Sequence, residues 1–127
     1  MLLAVHCTDQ LVQDFVSHVR RSPAGENTVI AVLSDHLLIF GDVEEQLKTR
    51  KRRLSFFLLD PDRAAQKRVH PATHFDVAPT LLDAVGMENT KFAFGHSLLY
   101  HEKGLVFDRN LSEADLQPFI VEALVDE

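Results

Sequence analysis

Asp35 and His36 follow an apolar run, Val29-Ile30-Ala31-Val32-Leu33, with only Ser34 between. A carboxylate supplies hard oxygen donors and an imidazole a borderline nitrogen, so the adjacent pair suits a divalent ion such as zinc or manganese. A plainer reading has Asp35 capping a turn and His36 as a polar residue at a strand exit. Two ligands are also fewer than the three or four of a working protein site. A second group is basic: Lys48, Arg50, Lys51, Arg52 and Arg53 place five cations in six positions. Such a run is either a solvated loop or a rim that collects anions, with Arg52 and Arg53 as the candidates to meet a phosphate-type group. His70 and His74 are spaced as on one helix face, but Pro71 argues for a loop, where that spacing sets no geometry.

The elements that must position these residues are legible from periodicity. Leu11, Val12, Phe15, Val16 and Val19 recur at helical spacing and predict an amphipathic helix ending near Arg21, started by Thr8 or further upstream. Arg20 and Arg21 suit its negative end, and Ser22-Pro23-Ala24-Gly25-Glu26 breaks it. Residues 27–36 read as a strand buried on both faces that delivers polar side chains at its carboxyl end, where open α/β sheets place ligand sites. Glu44 to Lys51 reads as a short helical turn. Leu54 to Leu59 reads as a second buried strand closed by the turn signal Asp60-Pro61-Asp62.

Asp76 is placed as the N-cap of a helix over Val77–Val85, with Pro79 tolerated in its first turn, Gly86 as its left-handed stop and Leu81, Leu82 and Val85 as its buried stripe. Phe92 to Leu99 reads as a closing segment flanked by surface histidines, His96 and His101. Residues 103–108 read as a short strand. A last helix spans roughly Ser112 to Leu124, with Ser112 and Asp115 forming a capping box and Pro118 marking a weak point.

Bulk properties bound the function. The 127 residues suffice for a single domain, 1–127, able to bury about two thirds of its unfolded surface. Apolar content of 46% and charged content of 25% are those of a globular protein. The net charge of −6 argues against a nucleic-acid partner. The lone Cys7 allows no internal disulfide. The chain shows no run of 18 apolar residues and no signal peptide at its start.

The order of motifs adds a resemblance. Asn27-Thr28, the apolar strand and Ser34-Asp35-His36 are followed by Asp76-Val77-Ala78-Pro79-Thr80-Leu81-Leu82-Asp83 and then Gly95-His96-Ser97-Leu98-Leu99. Over about residues 5–100 this resembles the carboxyl-terminal part of the sulfatase and phosphoglycerol transferase branch of the alkaline phosphatase superfamily. The resemblance implies an α/β/α sandwich with a mostly parallel sheet, Asp35 and His36 as metal ligands, and a role for His74 near metal or substrate that competes with an ordinary surface position. Leu37, where many sulfatases carry glycine, is closer to the phosphoglycerol transferases.

The same resemblance implies that the nucleophile and further metal ligands lie upstream of this segment. Thr28, Thr80 and Thr90 lack the family's nucleophile motif, and Cys7 lacks the Cys-x-Pro-x-Arg pattern of sulfatases. The expectation is therefore the carboxyl-terminal segment of a catalytic domain, inactive alone, from a parent held at a bacterial inner membrane with its catalytic domain in the periplasm. The parent's substrate would be a phosphoglycerol donor or a sulfate ester. The alternatives are a piece of a sulfatase or phosphoethanolamine transferase, or a non-catalytic α/β interaction module. An exposed sheet edge predicts self-association.

Overall fold

The computed structural model describes residues 2–37, 53–87, 95–112 and 114–116. Its contacts divide the chain into two compact units, Met1–Ala64 and Ala65–Glu127.

The first unit opens with α1, Leu2–Arg21. The helix begins upstream of Thr8, whose hydroxyl donates to the Ala4 carbonyl at 3.0 Å as a side chain does within a helix rather than at its cap. His18, Arg20 and Arg21 fill the last turn, where cations complement the helix dipole. Ser22 closes it: its hydroxyl and its N–H both donate to the Val19 carbonyl, at 2.7 and 3.0 Å. Gly25 then passes so close beneath the helix end that a Cβ there would stand 2.4 Å from the Arg20 carbonyl oxygen. Part of the expected apolar stripe is uncovered, with Leu11 and Phe15 each more than 60% exposed.

β1, Ile30–Leu33, and β2, Phe56–Leu59, form an antiparallel pair in which Ile30 faces Leu59 and Leu33 faces Phe56. Both are shorter than the apolar runs that predicted them. The pairing extends one step further, because the Ser34 N–H donates to the Ser55 carbonyl at 2.9 Å and the Ser55 N–H to the Ser34 hydroxyl at 3.2 Å. Burial on both faces is not found: Ile30 is buried, but Leu33 is 43% and Phe57 60% exposed. Only these two strands are paired among the described residues, so their outer surfaces lack the cover that the apolar composition calls for. An antiparallel pair is compatible with a mostly parallel sheet, since large α/β sheets commonly include one. The turn after β2 forms as expected: the Asp60 carboxylate accepts the Asp62 N–H at 2.9 Å and the Arg63 Nε–H at 2.8 Å.

In the second unit a three-residue 3-10 turn, His74–Asp76, runs directly into α2, Val77–Ala84. Gly86 (φ 81°) stops the helix as expected, with the Met87 N–H donating to the Leu82 carbonyl at 2.9 Å. The buried stripe differs from the expectation. Thr80 is the covered side chain, 1% exposed, whereas Val85 is 58% exposed. The Thr80 hydroxyl donates to the Asp76 carbonyl at 2.5 Å and accepts the Leu98 N–H at 2.9 Å, which explains why a polar residue takes the inner position.

Residues 103–108 are not a strand. Leu105–Asp108 form one helical turn, α3, in which the Asp108 N–H donates to the Gly104 carbonyl at 2.9 Å. Asn110 then takes a left-handed conformation (φ 52°), and the Leu111 N–H returns to the Val106 carbonyl at 2.9 Å. The capping box is present: the Ser112 hydroxyl and N–H donate to Asp115 Oδ2 at 2.6 and 2.7 Å, and 114–116 are helical. The helical turn at Glu44–Lys51, the aromatic start of the closing segment (Phe92, Phe94) and the rest of the helix towards Leu124 lie outside the described residues.

Candidate metal centre

Asp35 and His36 emerge where the β1–β2 ladder ends, and their side chains are 86% and 61% exposed. Each is pinned on one side by a backbone group. Asp35 Oδ1 accepts the His36 N–H at 2.8 Å, and His36 Nδ1 lies 2.8 Å from the Leu37 carbonyl oxygen. The remaining polar atoms, Asp35 Oδ2 and His36 Nε2, lie 3.5 Å apart, an ion-pair distance when the imidazole is protonated. Two ligands bound at about 2.0–2.1 Å in a tetrahedral arrangement sit roughly 3.3 Å apart, so the separation fits a shared divalent ion. The donor set also fits zinc or manganese chemically. Among the described residues, no group of three or more His, Cys, Asp and Glu side chains converges on one point.

Arg53 is exposed and precedes β2. It lies three residues ahead of Phe56, the residue paired with Leu33 at the end of the ladder from which Asp35 and His36 exit. Arg52 lies outside the described residues. His74 is exposed and opens the 3-10 turn of the second unit.

The residue that sequence reasoning underestimated is Asp76. It stands at the N-cap position of α2, but its side chain accepts no capping hydrogen bond from that helix. It is instead the third residue of a capping box begun by Thr73, and its carboxylate is 0% exposed. Oδ2 accepts the Thr73 N–H at 2.8 Å and the Thr73 hydroxyl at 3.0 Å. Oδ1 accepts the N–H of His96 at 2.8 Å and that of Leu105 at 3.0 Å. Two glycines make room for this: a Cβ on Gly104 would stand 2.0 Å from Asp76 Oδ2, and one on Gly95 (φ 143°) 2.0 Å from the Phe75 carbonyl oxygen. Thr73 three residues ahead of Asp76 was the available signal for the capping part. The contacts to His96 and Leu105 have no local signature.

His96 also departs from its expected surface position. Its side chain is 20% exposed, stacks on His101 with ring centroids 4.4 Å apart, and has Nδ1 3.9 Å from Asp108 Oδ2. His101 is exposed as expected. Nearby, the Arg68 guanidinium donates to the carbonyls of Leu98 and Leu99.

Comparison with known proteins supports the family resemblance. The sulfatase family model covers residues 2–87. Phosphoglycerol transferase I of Xanthomonas campestris pv. campestris is 33% identical over 103 residues, 80% of this chain and 15% of that protein. Phosphoglycerol transferase I of Xanthomonas euvesicatoria is 34% identical over 100 residues, 78% of this chain and 14% of its own length. The protein of the same name from Citrobacter koseri is 32% identical over 87 residues, 68% of this chain and 11% of that protein. The chain thus spans about one seventh of the length of the Xanthomonas relatives. No solved structure matches. The chain belongs to the sulfatase family, in the sulfatase and phosphoglycerol transferase branch of the alkaline phosphatase superfamily, and shares that family's α/β class.

Proposed function

We propose that this polypeptide supplies part of the metal site of a phosphoglycerol transferase acting on phosphate diesters, with Asp35 and His36 as two of its metal ligands. The observation that carries the reading is the 3.5 Å approach of Asp35 Oδ2 to His36 Nε2, both exposed at the end of a strand pair. The relatives named phosphoglycerol transferase I and Leu37 after the ligand pair favour transfer of phosphoglycerol over hydrolysis of a sulfate ester or transfer of phosphoethanolamine.

A divalent ion, manganese or zinc, would lower the pKa of an attacking hydroxyl and neutralise charge on the transferred group. The roles of this chain's own residues follow from their positions. Asp35 and His36 hold and orient, and Arg53, with Arg52, gathers the anionic substrate at the same ladder end. His74 is proposed as a substrate contact on the family resemblance alone. The attacking residue and the remaining ligands belong to upstream parts of a longer catalytic domain with a mostly parallel sheet, so this chain alone turns over no substrate.

The parent enzyme, on this reading, works at the periplasmic face of the inner membrane. No helix among the described residues is long and apolar enough to cross a membrane. Nucleic acid is not a partner. The uncovered strand pair would associate with another copy when nothing else covers it.

Calorimetric titration with manganese and with zinc tests the central claim. Weak binding by this chain that disappears in the Asp35→Ala, His36→Ala double variant supports it. Identical traces from both proteins would reject it in favour of a non-catalytic α/β interaction module.

A further inference from the structure

His96 meets two carboxylates, one with its backbone and one with its ring. Its backbone N–H donates to Asp76 Oδ1 at 2.8 Å, and the same oxygen takes the N–H of Leu105 at 3.0 Å. This tie between the 95–101 stretch and the start of α3 involves no gain or loss of a proton by His96. At the other end of α3, Asp108 Oδ2 lies 3.9 Å from His96 Nδ1, within ion-pair range and beyond hydrogen-bond reach. Nδ1 is enclosed and makes no hydrogen bond, a state that buried polar atoms rarely keep. A ring of contacts thus runs from Asp76 to Leu105, through α3 to Asp108 and back through His96, with its open joint between Nδ1 and Oδ2.

The charges around the joint decide which state closes it. Asp76 and Asp108 are acidic, and His74, on the same 3-10 turn as Asp76, is exposed. The Arg68 guanidinium is engaged by the carbonyls of Leu98 and Leu99. Glu102, Lys103 and Arg109 are exposed. His101 is stacked on His96 with ring centroids 4.4 Å apart, and two cationic rings in that relation repel, so the pair favours a single proton. A proton on His96 sets a charged donor before Asp108, the combination that gives short, strong hydrogen bonds.

We propose that His96 and Asp108 form a pH-gated brace: protonation of His96 closes its ring onto the Asp108 carboxylate and clamps the 95–101 stretch to α3. Acid therefore tightens this part of the second unit until Asp108 itself takes up a proton. The device is independent of the metal reading above and lies outside the residues assigned to it.

Amide hydrogen exchange of the full chain, followed by NMR, tests the brace. A change from about pH 8 to about pH 5.5 crosses the ordinary histidine range. The amides of Phe107 and Leu111 donate to the carbonyls of Gly104 and Val106, in and just after α3. Corrected for intrinsic exchange rates, their protection should rise roughly threefold on acidification, the scale of a part-exposed ion pair. Asp108→Asn keeps the shape and removes the charge at a side chain 56% exposed, so the variant should fold and lose the gain. His101→Phe keeps a ring against His96 and should retain it. An equal gain in Asp108→Asn would overturn the proposal. Loss of the gain in His101→Phe would overturn it too, by putting the proton on the other ring. Wild-type protection that does not change would mean that His96 has the same contact at both pH values, and the gate would not exist.

Discussion

Asp76 Oδ1 accepts the backbone N–H of Leu105 at 3.0 Å, joining residues 29 positions apart through a carboxylate that is fully enclosed. The same carboxylate holds Thr73 and His96. Burying an ionised group is costly unless its lone pairs are satisfied, and here each oxygen takes two donors. Removing the acceptor would leave those donors enclosed without partners. Asp76→Ala should therefore destabilise the second unit by about 3–5 kcal/mol. Asp76→Asn should be intermediate, because an amide presents one accepting atom and turns a donor towards the other pair. Urea unfolding followed through Tyr100, the only tyrosine and the chain's main fluorophore in the absence of tryptophan, would report the order.

The glycines should separate by mechanism. Gly104→Ala drives a methyl group into Asp76 Oδ2, and Gly95→Ala drives one into the Phe75 carbonyl at a backbone angle that disfavours any side chain. Either should cost roughly 2 kcal/mol or more. Gly86→Ala meets nothing within 4 Å and carries only the left-handed penalty, about 1–2 kcal/mol. The same urea series measures all three, and a Gly86 variant as damaging as Gly104→Ala would contradict the steric account.

Asp115 offers a titration. Its pKa is lowered by the Ser112 hydroxyl and then by the Ser112 N–H, both donating to the carboxylate. A depressed folded-state value means that the interaction is present above the unfolded value near 3.9 and lost as pH falls through the lower folded value. Carboxyl-carbon NMR should place Asp115 below an ordinary aspartate. Ser112→Ala should move it back upward while leaving its N–H contribution in place.

Asp35→Ala and His36→Ala should change stability little, within about 0.5 kcal/mol, because both side chains are largely exposed. Their effect should fall on manganese and zinc binding, with either single variant abolishing the weak affinity of a two-ligand site. Unfolding midpoints and calorimetry on the same samples separate the two. A large loss of stability would assign the pair to the fold instead.

How far the sequence reveals this structure depends on the range of the interaction concerned. The exit of Asp35 and His36 from a strand was legible because a continuous apolar run and its polar end lie in adjacent positions. The stop at Gly86, the turn at Asp60 and the capping box of Ser112 and Asp115 were legible for the same reason. Burial of both strand faces was not realised, since composition records the cover a strand needs and not what the described residues supply. Leu105-Val106-Phe107 reads as strand from an apolar run too short for periodicity to exclude helix. The choice falls to helix where Asp76 accepts the Leu105 N–H and Gly104 accepts those of Phe107 and Asp108. Thr80 lies off the stripe formed by Leu81, Leu82 and Val85, and only the paired contacts to the Asp76 carbonyl and the Leu98 N–H show why it turns inward.

Enclosure of one carboxylate by three separate stretches of chain also has a kinetic side. The amides of Thr73, His96 and Leu105 are shielded from solvent by a common partner, so the release of any one exposes the charge that keeps the other two in place. Their hydrogens should then exchange with deuterium at a shared rate set by a single opening event, although no helix or strand contains more than one of them.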